Sequence, residues 1–99
     1  LFGPVELEVS DEPAGPTIAA IYPNPVGERA VVELVSSGGP VEAAVYDLAG
    51  RLVLLLHRGE LPPGRHRLEL DAGGLSAGVH LLVVKDANST AVSRFVVSR

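Results

Sequence analysis

Three histidines, His57, His66 and His80, are the groups best suited to proton transfer, and the serines that could serve as nucleophiles are Ser36, Ser37, Ser76, Ser89, Ser93 and Ser98. Acyl transfer needs a nucleophile, a base and a group that orients the base. No Gly-x-Ser-x-Gly elbow is present, and no serine carries an oxyanion-hole signature. His66 and His80 fall at inward or boundary positions of strand-like segments, where a hydrogen-bonded structural histidine is expected. The metal-binding spacings His-x-His and His-x3-His are absent, as is an acidic EF-hand loop. Asp71 and the Asp86–Asn88 turn carry acceptors that cap backbone amides. A loop calcium ion on carboxylate and carbonyl oxygens is the remaining metal reading. The chain has no cysteine, which removes disulfides, thiolate zinc sites and thiol nucleophiles. Sugar binding needs a stacking platform, and the aromatics are Phe2, Tyr22, Tyr46 and Phe95 with no Trp. A carbohydrate-binding module is therefore a weak alternative resting on Tyr46. No cofactor and no catalytic residue are expected.

The elements that would position these groups read as strands. Val45 to Val53 is strand, tight turn, strand: Val41 to Asp47 enters and Arg51 to His57 leaves. Asp47 can bond back to the turn backbone, and Gly50 can take the left-handed conformation that closes a short hairpin. Val41, Ala43 and Val45 share one face with period two, and Glu42, Ala44 and Tyr46 share the other. Leu52, Leu54 and Leu56 oppose Val53 and Leu55, so this strand is apolar on both sides. It is expected to be central and covered twice, or to meet a partner, a second copy included, through Leu52, Leu54 and Leu56.

Elsewhere, Thr17 to Tyr22 is a short strand stopped by Pro23-Asn24-Pro25. That corner is expected to cross between sheets, with the Tyr22 ring buried beside it. Ala30 to Ser36, Arg65 to Leu70, Val79 to Lys85 and Ala91 to Ser98 complete the set. In Arg65 to Leu70, Arg65, Arg67 and Glu69 point outward and His66, Leu68 and Leu70 inward. In the last strand, Val92, Arg94 and Val96 oppose Ala91, Ser93, Phe95 and Val97. Seven short strands, turns rich in glycine and proline and no helix predict an all-β fold of two antiparallel sheets packed as a sandwich.

The 99 residues suit one domain with a modest core, and 46% hydrophobic residues argue for a folded one. Leu1 in place of Met is expected for a piece of a longer protein. This stretch shows no signal-peptide pattern, and the longest apolar run, Leu52 to Leu56, is too short to span a bilayer as a helix. The formal net charge is −4, and Glu6, Glu8, Asp11 and Glu12 supply all of it. A neutral body argues against nucleic acid as a partner. Residues 1–16 read as a linker or the end of an upstream domain: three prolines and two glycines break regular structure, although Val5, Leu7 and Val9 alternate with Glu6 and Glu8 as an edge strand would. Residues 17–99 form the domain.

Five segments, in order, make a pattern: Tyr22-Pro23-Asn24-Pro25; Val45-Tyr46-Asp47-Leu48-Ala49-Gly50-Arg51-Leu52-Val53; Pro63-Gly64-Arg65-His66; Leu75-Ser76-Ala77-Gly78-Val79-His80-Leu81; and Arg94-Phe95-Val96-Val97-Ser98-Arg99. Over about Ile18 to Arg99 the chain resembles the C-terminal sorting domain of the type IX (Por) secretion system, which implies a small immunoglobulin-like β-sandwich. A flagellar hook-capping immunoglobulin-like module shares the Gly64 and Gly78 pattern. The family usually has Tyr or Phe where His80 stands, often an aromatic near Leu70, and Lys at the terminal basic positions held here by Arg94 and Arg99.

The resemblance implies a non-enzymatic targeting module at the end of a larger, exported protein. Such a module passes through the periplasm folded, is recognised by outer-membrane secretion machinery, and is cleaved by a sortase-like protease in favour of a surface lipopolysaccharide anchor. Cleavage would fall around Asp11 to Thr17, where an exposed linker is accessible and a packed sandwich is not. The cell surface or the exterior is the implied destination, and an upstream, catalytic domain the implied covalent partner. The recognition signal is expected in Arg94, Phe95, Val96, Val97 and Arg99, because a terminal strand with free backbone groups can be read by strand addition. Taken without the resemblance, the same arginines are edge charges that deter aggregation. An immunoglobulin-like spacer within an extracellular enzyme is the alternative role.

Overall fold

A computed structural model of the chain describes residues 16–98; the expectations for residues 1–15 and for Arg99 lie outside the described residues. Seven strands follow one another: β1 (Thr17–Tyr22), β2 (Arg29–Ser36), β3 (Pro40–Tyr46), β4 (Leu52–Glu60), β5 (Gly64–Asp71), β6 (Gly78–Lys85) and β7 (Thr90–Val97). They form two antiparallel sheets, β1-β2-β5 and β4-β3-β6-β7. The chain changes sheet after β2, after β4 and after β5. The hairpins β3–β4 and β6–β7 stay within the larger sheet. This is the all-β antiparallel sandwich that the alternating segments predict, in the immunoglobulin-like arrangement that the resemblance implies.

Period-two alternation builds the core. Ala30, Val32 and Leu34 of β2 and Leu70 of β5 face Val41, Ala43 and Val45 of β3, Leu82 and Val84 of β6, and Phe95 and Val97 of β7. Burying branched side chains on both inner faces is the main force holding the sheets together, at roughly 1.5–3 kcal/mol for each large side chain taken from water. His80 is the buried imidazole, 3% exposed, and stacks on its cross-strand neighbour Phe95 with ring centroids 5.8 Å apart. Its Nδ1 lies 3.2 Å from the Gly78 carbonyl oxygen.

Three expectations need correction. β4 is an edge strand of the larger sheet, not a central one. Its register slips twice against β3, between Ala43 and Ala44 and between Val45 and Tyr46. Each bulge inserts a residue and breaks strict alternation. Leu54 and Leu56 therefore pack against the core, while Leu52 and Leu55 stand outside, so the three leucines do not share a face. Second, Tyr22 is 40% exposed. Its hydroxyl finds an acceptor at the surface, donating to Glu33 Oε2 at 2.6 Å, which an inward ring would forgo. Third, the Pro23-Asn24-Pro25 corner, with both proline bonds cis, does not carry the chain from one sheet to the other. β1 and β2 pair in the same sheet, and the corner instead reaches out to touch β7.

Candidate recognition surface

β7 is the outer strand of the larger sheet, and its alternation divides the expected recognition residues. Phe95 and Val97 are each 1% exposed and belong to the core, whereas Arg94 and Val96 point outward with Val92. In the folded module the accessible side chains of this strand are thus those of Val92, Arg94 and Val96, and Phe95 and Val97 hold the strand in place from beneath.

The free edge of β7 is partly occupied. Val26, fully buried, bridges Val97 in parallel: its N–H donates to the Val96 carbonyl at 2.7 Å, and its carbonyl accepts from the Ser98 N–H at 2.8 Å. Asn24 Oδ1 accepts from the Val96 N–H at 3.1 Å. The upper end of the edge is thus satisfied by the proline corner. Antiparallel ladders alternate the side to which each residue turns its N–H and C=O. Val92 and Arg94 accordingly present their backbone groups on the same outer side as Val96, and no strand among the described residues pairs with them there.

The outer face beside this edge is apolar. Cross-strand register sets Leu52, Tyr46, Leu81 and Arg94 in one row and Leu55, Ala44, Val83 and Val92 in the next. Leu52, Leu55, Val92 and Val96 are 53, 42, 59 and 38% exposed. A polar row of three charged residues and a threonine, Arg58, Glu42, Lys85 and Thr90, closes the patch, with Arg58 and Glu42 3.7 Å apart. Tyr46 is half-buried within its row, so it offers no open ring platform for a sugar. Contiguous apolar surface rimmed by charge marks a contact surface.

The other sheet shows the opposite character. On its outside, Glu33 accepts from Tyr22 and lies 3.3 Å from Arg65 and 3.2 Å from Arg67. The Tyr22 hydrogen bond, helped by both guanidinium groups, holds the Glu33 carboxyl below its ordinary range, and the same bond pushes the Tyr22 phenol up. One sheet face is built for water and the other for contact.

The remaining polar residues serve turns. Asp47 Oδ1 accepts from the Ala49 and Arg51 amides at 2.9 and 3.0 Å, and its Oδ2 meets Arg51 Nε at 2.9 Å. The Arg51 amide chiefly, with the Arg51 side chain, holds that carboxyl below its ordinary range. Gly50 has φ +86°, as the hairpin requires, and Gly64 and Gly78 have φ +120° and +124°. Asp71 caps Gly73, and Asp86 caps Asn88 and Ser89. His66 Nε2 lies 2.7 Å from the Pro62 carbonyl oxygen and His57 Nε2 3.2 Å from that of Gly59, so both rings sit against backbone carbonyls nearby in the chain. Among the described residues, no three His, Asp or Glu side chains gather as metal ligands, and no helix is long and apolar enough to cross a membrane.

Sequence reasoning missed the Asn24–Val96 contact and the role of Val26. Their partners lie too far along the chain for local spacing to reveal. It also missed the outward turn of Leu55, which depends on a bulge.

Such a molecule is a small β-sandwich with a contact surface and a set of structural turns, the class of a recognition module. The family model described as the secretion system C-terminal sorting domain matches residues 20–98, and the chain belongs to that family, the sorting domains of type IX secretion. The turn residues of the sequence pattern, Asp47, Gly50, Gly64 and Gly78, lie inside the match. A search of curated proteins finds no match to this chain.

Proposed function

We propose that this module is the export tag of a larger protein: it crosses the periplasm folded, is read by the outer-membrane secretion machinery, and is removed by a sortase-like protease acting in the linker around Asp11 to Thr17. The observation that carries this reading is the family match over residues 20–98. The exposed Arg94 and Val96 of β7 and the apolar rows beside them supply the chemistry for docking. Phe95 and Val97 support it from beneath. Strand addition along Val92 and Arg94 would give affinity through the backbone, with the neighbouring side chains giving selectivity. The covalently linked upstream partner is a cargo domain, a catalytic one on the reading that the resemblance implies.

A reporter carrying an export leader and ending in this module tests the proposal in a bacterium with type IX machinery. The reporter is expected outside the cell. With Arg94→Glu and Val92→Ser, two exposed positions that leave the core intact, it is expected to accumulate in the periplasm. Equal export of the reporter with and without the module would end the proposal.

A further inference from the structure

Each sheet ends in two edge strands, β1 and β5 in one and β4 and β7 in the other. Natural edges deter pairing with bulges and charges. β1 slips register between Ile18 and Ala20, β4 slips twice, and β5 exposes Arg65, Arg67 and Glu69. β7 is the least defended. Its ladder to β6 runs from Gly78↔Val97 to Lys85↔Thr90 without a slip, and Arg94 is its one charge.

The open run of this edge has two limits. At one end Val96 turns its N–H and C=O outward and spends them on Asn24 and Val26. At the other the chain leaves the sheet in the turn that the Asp86 N–H closes on the Ser89 carbonyl at 3.0 Å. Between these limits Thr90, Val92 and Arg94 face the same side as Val96 by alternation.

An incoming antiparallel strand must match that short run, and β7 of a second copy does so in one register. With Val92 opposite the second copy's Val92, each Thr90 lies opposite an Arg94, and every outward backbone group of the run has a partner. Sliding the copies one way sets the run against Val96, whose groups are taken. Sliding them the other way sets it against Asn88, in the turn. The side chains agree with the central register. It joins the row Leu55, Ala44, Val83 and Val92 end to end with the same row of the second copy. It also places each Arg94 beside a threonine and away from the other Arg94.

We propose that two copies of the module pair through β7 about a two-fold axis at Val92, joining their larger sheets into one continuous sheet. The exposed Leu52, Leu55, Val92 and Val96 of both copies then share a single face. The backbone edge of Val92 and Arg94 is covered in the pair and open in the single copy, so separation of the copies controls access to it.

Sedimentation of the 99-residue chain and single-cysteine cross-linking test this without secretion machinery, so its failure is distinct from a failure of the export role. The native chain is expected to pass from monomer to dimer below about 1 mM. Val92→Lys and Val92→Glu each oppose like charges at an exposed position that leaves the ladder to β6 intact. Each is expected to weaken the pair at least about tenfold, and their equimolar mixture to regain a dimer, since opposite charges then face each other. The chain has no cysteine, and residues opposed in a hydrogen-bonded pair stand about 5.5 Å apart at Cα, within disulfide reach. Val92→Cys is therefore expected to oxidise to a covalent dimer faster than Leu52→Cys, an equally exposed position at the far edge of the same face. Monomer mass at every concentration up to about 1 mM overturns the proposal. So does a charge-swap mixture that stays monomeric, or cross-linking at Leu52→Cys as fast as at Val92→Cys.

Discussion

At the scale of the residue, Glu33 and Asp47 give the module its response to acid. Both carboxyls are held below their ordinary values, Glu33 chiefly by the Tyr22 hydroxyl and Asp47 chiefly by the Arg51 amide. Unfolding restores ordinary values, so their contribution is complete above about pH 5 and is lost as pH falls through the folded-state values. Glu33→Gln is expected to flatten the acid limb of a stability-versus-pH curve measured by urea unfolding; an unchanged slope would remove Glu33 from that role. The raised Tyr22 phenol acts with the opposite sign, contributing below about pH 10 and losing its contribution as pH rises through the folded value. Phe95 and Val96 test the division of β7 into core and surface. Phe95→Ala should cost about 3–5 kcal/mol in urea unfolding, while Val96→Ser, at an outward position, should stay within about 1 kcal/mol. His80→Phe is expected to raise the thermal midpoint, since a phenyl ring can keep the stack on Phe95 without burying polar nitrogens.

At the scale of the element, the β3–β4 hairpin shows what is local and what is not. Asp47 and Gly50 are visible in the sequence because the loop needs an acceptor at its start and a positive φ at its end, and the structure has both. A Cβ at Gly50 meets no neighbour, so Gly50→Ala tests the backbone alone and should cost about 1–2 kcal/mol by thermal unfolding. The inner faces of β2, β3 and β7 were equally legible, since alternation names the buried side once one face is apolar. β4 was not: five consecutive apolar residues erase the contrast that reveals a face, and two bulges then decide which leucines turn outward. The proline corner was legible as a stop and illegible as a clamp. Asn24→Ala should free the Val96 amide and speed its hydrogen exchange while leaving Ser98, held by the Val26 carbonyl, unchanged.

At the scale of the whole molecule, the two outer faces divide the labour. The smaller sheet carries the Tyr22, Glu33, Arg65 and Arg67 network, and the larger one carries two apolar rows ending at Val92 and Arg94. Leu52→Ser with Leu55→Ser is expected to lower binding of a hydrophobic dye to the native module while leaving the unfolding midpoint nearly unchanged, because both side chains already stand in water. The fold class could be read from alternation and turns. The surface could not, because it depends on register across four strands that local spacing does not specify. The Val26 bridge ties these scales together in time. Asn24 and Val96 are 72 residues apart, and Val26 sits beside them with its own partners in the same last strand. During synthesis or threading from the N-terminal side, the corner has nothing to grip until nearly the whole domain has emerged. The sandwich therefore latches only on an intact chain, and a copy broken off before β7 carries an unlatched corner and an open core that betray it as incomplete.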